Sequence, residues 1–236
     1  LTSRKIDERE ISLRKQNKTF FQISGAGHEA IGVAIAEHCR PGSDWFFTHY
    51  RDRALVLSLG QTPLDHLLAA VGSGDDPATG GRQMPCHFSD VRLNIASSSS
   101  VVATQFLQAV GAAEADTKIS RIPGIRDLVH NFDEDEIVLV CSGEGQTSEG
   151  EFWESLNSAC NLSLPIVFVI EDNEYAISVP VEVQTAGGSI SQLVSGFPNL
   201  YIVECDGTDI VDSYRAAGAA ITHAREQRAP AFIHAH

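Results

Sequence analysis

Two short polar runs carry the residues whose types and spacing are best suited to chemistry. The first is the Gly-Glu-Gly run at 143–145, and the second begins at Asp172 and Asn173 and extends to Tyr175. Mg²⁺ binds about six oxygens and usually takes only one or two from carboxylates, sharing the rest with phosphates and water. Flanking glycines let the backbone approach a phosphate closely. The two runs therefore predict a diphosphate and magnesium site, in which the Glu144 carboxylate, the Asn173 amide oxygen and the Tyr175 carbonyl bind the metal.

The apolar runs before each polar run are predicted to be buried parallel strands, because DEIVLVCS (135–142) and IVFVIE (166–171) are rich in β-branched residues. Between them, Ser148 and Glu151 have the spacing of a capping box, which predicts a helix that ends before Pro165. Loops that leave the carboxyl ends of adjacent parallel strands lie side by side, so these elements can bring the two polar runs together. The helix would direct its positive end toward the phosphates. The apolar positions that recur at helical spacing are Phe152, Trp153, Leu156, Ala159 and Cys160.

Other interpretations compete for the glycine run. The glycines could serve only a turn between strand and helix, although the second polar run favours a ligand site. A dinucleotide-binding loop of the G-x-G-x-x-G type would have glycine in the place of Ser148. A P-loop is excluded because no Gly-Lys-Ser/Thr follows.

Blocks along nearly the whole chain resemble the alpha subunit, or the alpha half of a fused chain, of thiamine-diphosphate-dependent 2-oxo acid dehydrogenases. Glu144 is similar to the residue that branched-chain members have at that place, whereas FFQISGAGHEA (20–30) and HYRDRAL (49–55) resemble bacterial chains in which alpha and beta halves are joined. The resemblance implies an α/β fold with a doubly wound, mostly parallel sheet, the thiamine-diphosphate-binding fold. The blocks that carry it are GAGHEAIGVAIAEHCRPGSDWFFTHYRDRALVLSLG (25–60), GGRQMPCHF (80–88), SSSSVVATQFLQAVGAAEA (97–115), GEGQTSEGEFWESLN (143–157) and EDNEYAISVP (171–180).

The resemblance also implies a set of ligand contacts. Phe21 and Tyr50 would border the substrate, and a potassium ion would be bound through Ser99, Thr104 and Gln105. The sequence departs from the family at Asp172, where asparagine is usual, and at Glu171, where some branched-chain members have an arginine that contacts diphosphate. The residues that the resemblance assigns to thiamine diphosphate and Mg²⁺ are Tyr50, Arg51, Ser100, Val102, Gly143, Glu144, Gly145, Gln146, Asn173, Tyr175 and Ile177.

Tyr50 and Arg51 also have a physical case of their own. A guanidinium beside a phenol hydroxyl can hold diphosphate oxygens through charge-assisted hydrogen bonds. The alternative is a surface ion pair of Arg51 or Arg53 with Asp52. His28 and His49 have the chemistry of acid/base groups, but we expect His28 to be structural at a helix start and His49 only to orient the diphosphate clamp.

The implied reaction is the oxidative decarboxylation of a branched-chain 2-oxo acid, followed by acyl transfer to a lipoyl group of an acyltransferase component. In this family a glutamate of the beta subunit or beta half activates the cofactor, and a loop histidine lies beyond the position of His236. We therefore expect a piece of a longer chain that is active only with its beta partner, as a heterotetramer or a fused homodimer. Pyruvate or acetoin as substrate, a non-catalytic scaffold, and a different magnesium-dependent phosphate enzyme are the alternatives.

The amino-acid composition restricts the kinds of partner that the chain could bind. With 31 acidic and 17 basic residues, the formal charge of −14 argues against binding to nucleic acid or an anionic membrane. No stretch reaches the roughly 20 apolar residues of a membrane span, and the charged amino terminus lacks a signal-peptide core. We expect a soluble protein of the bacterial cytoplasm or, in a eukaryote, of the mitochondrial matrix. The five cysteines form no C-x-x-C pair, which predicts buried free thiols.

The remaining pattern predicts one domain over residues 1–236 with an amino-terminal helical segment. Helices are expected over 3–21, from near His28 to before Pro41, and from Thr62-Pro63-x-Asp65 onward. A long functional loop is expected over 72–100, a helix over 101–115, and a polar connection over 116–134. YIVEC (201–205) and AFIHA (231–235) predict strands joined by a helix from Asp209 to about Arg228. The apolar face of that helix is expected at Ile210, Val211, Tyr214, Ala217, Ile221 and Ala224.

Overall fold

A five-stranded parallel sheet forms the centre of the computed structural model, which describes residues 1–129 and 132–236. Its strands lie in the order β1-β2-β3-β7-β6, and a separate antiparallel hairpin joins β4 to β5. The strands are β1 (Trp45–Phe47), β2 (Val138–Gly143), β3 (Ile166–Glu171), β4 (Tyr175–Ala176), β5 (Val179–Pro180), β6 (Tyr201–Cys205) and β7 (Ala231–Ala235). The helices are α1 (Thr2–Lys15), α2 (Glu29–Ala36), α3 (Arg53–Leu59), α4 (Pro63–Ala70), α5 (Thr104–Arg121), α6 (Gly150–Leu162), α7 (Val181–Gln184), α8 (Ile190–Leu193) and α9 (Ile210–Gln227).

Alternate residues of the central strands face two apolar layers. In β2, Leu139 and Cys141 join the layer of α2, α3 and α9, whereas Val138 and Val140 join the layer of α5, α6 and α8. Because both faces of β2 and β3 are packed against these layers and away from water, both strands have continuous apolar sequences rather than alternating ones. Helices therefore cover both faces of the sheet, and the predicted doubly wound α/β fold is confirmed.

Several predicted elements are confirmed nearly to the residue. The strands at 166–171, 201–205 and 231–235 form as expected, and β2 (Val138–Gly143) starts within the 135–142 run and ends one residue after it. Helix α4 begins with a capping box, since the Thr62 hydroxyl accepts the Asp65 N–H and the Asp65 carboxylate accepts the Thr62 N–H. The Asp209 carboxylate caps α9 by accepting two backbone N–H groups.

The predicted capping box at Ser148 and Glu151 is wrong. Residues 144–148 form a 3₁₀ turn, and α6 begins at Gly150 with Glu149 as its cap residue and without a side-chain cap. Within this turn the Thr147 hydroxyl donates to the Glu144 carbonyl. The helix start consequently lies further from the Gly-Glu-Gly run than the sequence indicates.

Other helix limits also differ from the predictions. The helix predicted over 3–21 ends at Lys15 because Asn17 adopts a left-handed conformation (φ 57°) and the Lys18 N–H bonds back to Leu13. The helix expected at 101–115 starts at Thr104, after left-handed Ala103, and continues to Arg121. Part of the predicted 116–134 connection is therefore helical, and its residues 130 and 131 lie outside the described residues.

The predicted apolar face of α9 is only partly correct. Ala217, Ile221 and Ala224 are buried against the sheet, but the apolar residues of the first turns are exposed. Ser213, Ala216 and Ala220 take the remaining buried positions, since small side chains allow the helix to lie close to α2 and the strands. The exposed residues of the predicted face are Ile210, Val211 and Tyr214.

The cysteine prediction is confirmed, because Cys39, Cys86, Cys141, Cys160 and Cys205 are all free and buried. Burial raises the pKa of the Cys86 and Cys160 thiols to about 11, so both are neutral at ordinary pH. Among residues 1–129 and 132–236, every helix is too short or too polar to cross a lipid bilayer.

Arg53 anchors the amino-terminal helix α1 to the rest of the fold. Its guanidinium is 1% exposed and donates to the carboxylates of Asp7 and Glu10 on α1, and to the Cys86 sulfur. The alternative of a surface ion pair between Arg53 and Asp52 is therefore wrong. A buried arginine with two buried carboxylates satisfies the charges that α1 brings into the interior.

Candidate functional site

The two polar runs lie at the carboxyl ends of neighbouring strands. β2 and β3 pair in parallel, with Gly143 opposite Glu171, so the loops that follow leave the same edge of the sheet side by side. Glu144 is 2% exposed, and its Oε1 atom has no hydrogen-bond partner. Burial and the neighbouring charge of Asp172 raise the pKa of this carboxyl above its usual value. A buried carboxylate oxygen without a donor is suited to a cation, and this geometry fits a metal such as Mg²⁺.

The loops are packed against one another closely enough to require glycine. A Cβ atom on Gly145 would lie 2.9 Å from the Ala176 Cβ, which is closer than two such atoms approach. The Glu144 carbonyl accepts a hydrogen bond from Gln184 on α7 at 3.1 Å. Gly145 therefore serves a close approach between the β2 loop and the β4-β5 hairpin, beyond the needs of a turn.

The second loop is held by its own side chains. The Asp172 carboxylate accepts the Glu174 N–H at 2.7 Å, and the Asn173 amide oxygen accepts the Tyr175 N–H at 3.1 Å. That amide oxygen keeps a second lone pair for a metal. Ile177, at the tip of the hairpin, is fully exposed and has a left-handed backbone (φ 59°). A β-branched residue rarely adopts this conformation, and such strain is concentrated at functional sites.

Tyr50 and Arg51 lie on the segment between β1 and α3. The Arg51 Nη1 atom donates to the Tyr50 hydroxyl at 3.3 Å, and the guanidinium carbon lies 4.9 Å from the centre of the Tyr50 ring. Arg51 also acts on the two polar runs, because its charge lowers the pKa of both Glu144 and Glu171 against the larger effect of burial. The clamp is thus within electrostatic reach of the predicted metal site.

A small cleft brings together several more of the predicted residues. Tyr50, Ser99, Gln105 and Gln146 line it, and the Gln105 amide donates to the Gln146 side-chain oxygen at 2.7 Å. The Ser100 hydroxyl bonds to the Nε2 atom of His87 at 2.7 Å. Their roles as ligand contacts stay predictions.

Five further predicted residues do not line the cleft. Val102 and Tyr175 have exposed side chains, as Ile177 does, and Thr104 heads α5. Phe21, predicted to border the substrate, is half-buried in the segment between α1 and α2, where its carbonyl accepts the Thr19 hydroxyl. Its place as a substrate contact stays a prediction.

A buried pair of carboxyls lies beneath the two loops, which the sequence did not indicate. Burial and mutual repulsion raise the pKa of Asp52 well above its usual value, and burial raises that of Glu171. His28 and His49 place their Nδ1 atoms 3.4 and 3.7 Å from Glu171 Oε2. Burial lowers the pKa of His49 to about 4, so its imidazole is neutral at ordinary pH. His28 precedes the first residue of α2, as predicted, and its structural role stays a prediction.

Two histidines near the candidate site were not predicted as site residues from the sequence. His87 lies in the cleft, inside a block that was noted only for its resemblance. His234, within β7, is fully buried and bonds to Asp172 through its Nε2 atom at 2.9 Å. A histidine inside an otherwise apolar strand is the signal that could have marked it, since a buried imidazole needs partners.

Comparisons with known proteins identify the family to which the chain is similar. A family model described as "Dehydrogenase E1 component" matches residues 1–236. The 2-oxoisovalerate dehydrogenase subunit alpha of Bacillus subtilis (strain 168) is 36% identical over 233 residues, which are 99% of this chain and 66% of that protein. The 3-methyl-2-oxobutanoate dehydrogenase subunit alpha of Mycobacterium tuberculosis (strain ATCC 25618 / H37Rv) is 31% identical over 100% of this chain and 57% of its own length.

The chain is shorter than these relatives, since it spans 46% of the length of the human mitochondrial 2-oxoisovalerate dehydrogenase subunit alpha, to which it is 30% identical. A crystal structure of transketolase from Campylobacter jejuni has a TM-score of 0.61 to this fold, covering 87% of this chain and 32% of that one at 17% identity. That likeness concerns the fold alone.

Proposed function

We propose that this chain, which belongs to the dehydrogenase E1 component family, holds thiamine diphosphate in a 2-oxo acid dehydrogenase that oxidatively decarboxylates branched-chain substrates. The observation that carries the proposal is Glu144, a buried carboxylate whose free oxygen faces no donor at the edge where two loops meet. The names of the relatives, 2-oxoisovalerate and 3-methyl-2-oxobutanoate dehydrogenase alpha subunits, support the branched-chain substrate.

Each loop contributes to the proposed metal site. The Glu144 carboxylate, the Asn173 amide oxygen and the Tyr175 carbonyl would bind Mg²⁺, a cation that usually takes its other ligands from phosphates and water. Because residues 143 and 145 are glycines, the backbone can approach the diphosphate closely. The Gln146 side chain stays oriented because its oxygen accepts hydrogen bonds from Gln105 and Ser142. These groups are placed before any ligand arrives, which reduces the ordering cost of binding.

Tyr50 and Arg51 hold the outer diphosphate oxygens. The guanidinium donates in a planar fork and keeps its charge at all relevant pH values, so that it offsets the charge of the diphosphate. Ser100, Val102 and Ile177 would also contact the cofactor, and Phe21 and Tyr50 would border the substrate. A potassium ion bound through Ser99, Thr104 and Gln105 would stabilise the loop that precedes α5.

When bound, thiamine diphosphate supplies the nucleophilic carbon and the electron sink for decarboxylation. The share of this chain is to bind and orient that group, while a beta subunit or fused beta half supplies the activating glutamate. The acyl unit then passes to the lipoyl group of an acyltransferase component. We propose that the protein works as a heterotetramer or a fused homodimer within that complex.

Calorimetric titration tests the proposal directly. Thiamine diphosphate with Mg²⁺ is titrated into the full-length protein and its beta partner, using the native sequence, Glu144→Ala and Glu149→Ala. Glu149 is an exposed carboxylate in the same segment, so it controls for loss of negative charge. We expect saturable binding that only Glu144→Ala removes. Native protein that binds no cofactor, or equal binding by all three, would contradict the proposed site.

A panel of substrates tests the specificity. The assembled enzyme is supplied with 3-methyl-2-oxobutanoate, 4-methyl-2-oxopentanoate, pyruvate or 2-oxoglutarate, and kcat/KM is compared. We expect the two branched-chain acids to lead. A clear preference for pyruvate would overturn the branched-chain assignment but leave the cofactor site intact.

A further inference from the structure

A chain of hydrogen bonds runs from the predicted metal loop through the buried His234 and Ser191 to the exposed Glu204. The Asp172 Oδ2 atom lies 2.9 Å from His234 Nε2, and His234 Nδ1 lies 2.9 Å from the Ser191 hydroxyl oxygen. That hydroxyl donates to Glu204 Oε1 at 2.5 Å. The chain thus joins four elements, namely the loop after β3, β7, α8 and β6. Asp172, Ser191 and His234 are buried.

The donors and acceptors of this chain can be counted. A serine hydroxyl carries one hydrogen, and at Ser191 that hydrogen is directed to Glu204, which as a carboxylate only accepts. The Ser191 oxygen can therefore accept from His234 Nδ1 and from the Ser189 hydroxyl, which lies 2.9 Å away. The His234 ring thus faces the Asp172 carboxylate directly and the Glu204 carboxylate through the serine.

The Asp172 carboxylate is central to the shape of the loop. The second carboxylate oxygen of Asp172 accepts the Glu174 N–H at 2.7 Å, and the backbone N–H of Asp172 donates to the Ala235 carbonyl at 2.8 Å. Asn173 and Tyr175, the predicted metal ligands of this loop, flank Glu174. Rotation of the Asp172 side chain would break its bond to the Glu174 N–H and thereby release the backbone that carries Asn173 and Tyr175.

We propose that His234 is a positioning residue, which fixes Asp172 and thereby holds the Asn173 and Tyr175 ligands in the geometry that the metal requires. The inference rests on the proposed function, because it assumes the metal site of Glu144, Asn173 and Tyr175. Partners that orient metal ligands from behind commonly change metal affinity by about 10–100-fold when they are removed.

The test measures metal affinity separately from turnover. Mn²⁺, which favours the same oxygen ligands, is titrated by electron paramagnetic resonance into the full-length protein with its beta partner and saturating thiamine diphosphate. The variants are His234→Leu and, as a matched control, His223→Leu, which changes a half-buried histidine stacked on Tyr201. We expect Mn²⁺ to bind His234→Leu about 10–100-fold more weakly than native protein, and His223→Leu to bind like native.

Two further variants separate positioning from a general loss of structure. Asp172→Asn combined with His234→Gln replaces the pair by amides that can hydrogen-bond to each other, to Glu174 and to Ser191, and we expect it to restore most of the affinity. Ser191→Ala breaks only the link to α8, and we expect a smaller loss of affinity than for His234→Leu. At saturating metal, kcat of His234→Leu should return to within about twofold of native, since added ligand offsets weaker binding.

Two outcomes would overturn the inference. One is native Mn²⁺ affinity in His234→Leu or, if that variant fails to fold, in Ser191→Ala. The other is a kcat that stays low in His234→Leu at saturating metal, which is the behaviour of a merely structural residue. Glu144→Ala in the same titration keeps the hypotheses distinct, because Mn²⁺ binding that survives Glu144→Ala refutes the metal site itself.

Discussion

At the scale of single residues, Glu144 dominates the candidate site. An ionised carboxylate in a buried position is costly unless a charge or donor compensates it. Here one oxygen lacks a donor, and the nearby charge of Asp172 makes ionisation still less favourable. The ionised Glu144 carboxylate is thus less stable without a cation than with one. A bound metal would therefore stabilise the site. Arg51 supplies part of the missing positive charge.

We expect Arg51→Met to weaken thiamine diphosphate binding by about 10–100-fold, because hydrogen bonds to a charged group contribute roughly 1.5–3 kcal/mol each. Calorimetry at saturating Mg²⁺ on the assembled protein would measure the change. Arg215→Met removes an exposed arginine of α9 and should bind the cofactor like native protein. Equal affinities for the two variants would show that Arg51 is not part of the clamp.

At the scale of elements, the start of a helix depends on the backbone as well as on the sequence. Thr62-x-x-Asp65 and Ser148-x-x-Glu151 have the same spacing, yet only the first forms a capping box. Pro63 fixes the backbone dihedral that begins α4. Before α6, the chain must first leave β2 through a 3₁₀ turn, so the cap position moves to Glu149.

We expect Thr62→Ala to lower the free energy of unfolding by about 0.5–2 kcal/mol, since it removes a side chain that accepts a backbone N–H at the helix start. Ser148→Ala should change it by less than about 0.5 kcal/mol, as for most exposed sites. Urea unfolding of both variants would give the difference. Equal destabilisation would mean that Ser148 also acts as a cap.

The same elements show what sequence patterns can predict and where they fail. Strands β2, β3, β6 and β7 were predictable because their long apolar runs are bounded by turn residues. β1 was missed, since three residues are too few to show a period. The start of α3 was missed because it carries Arg53, whose burial depends on carboxylates from α1, far away in sequence. Likewise, the Asp172–His234 bond joins the loop after β3 to β7, and only the fold makes β3 and β7 adjacent.

We expect Arg53→Met to lower the free energy of unfolding by about 3–5 kcal/mol, because it leaves the buried carboxylates of Asp7 and Glu10 without their partner. Arg92→Met is the matched control. Arg92 pairs with Asp90 on the surface, where its side chain is 74% exposed, and its loss should cost at most about 1 kcal/mol. Denaturant unfolding of both variants is the measurement, and equal losses would contradict the role of Arg53 in anchoring α1.

At the scale of the whole molecule, the candidate site is open at one edge of the sheet. Val102, Tyr175 and Ile177 are exposed there, although they are apolar or aromatic residues predicted to contact the cofactor. Four buried carboxyls of the described residues lie at this edge. Glu144 is the predicted metal ligand, Asp172 is hydrogen-bonded to His234, and burial raises the pKa of both Asp52 and Glu171.

We expect the full-length chain to be inactive without its partner, since the glutamate that activates the cofactor is expected on the beta subunit or beta half. Turnover is followed by carbon dioxide release from each 2-oxo acid of the panel, with thiamine diphosphate and Mg²⁺ present, before and after the beta subunit is added. For a fused protein, a beta half lacking its activating glutamate replaces the omission of the subunit. Activity should appear only with the intact partner. Turnover without it would mean that a carboxylate of this chain activates the cofactor.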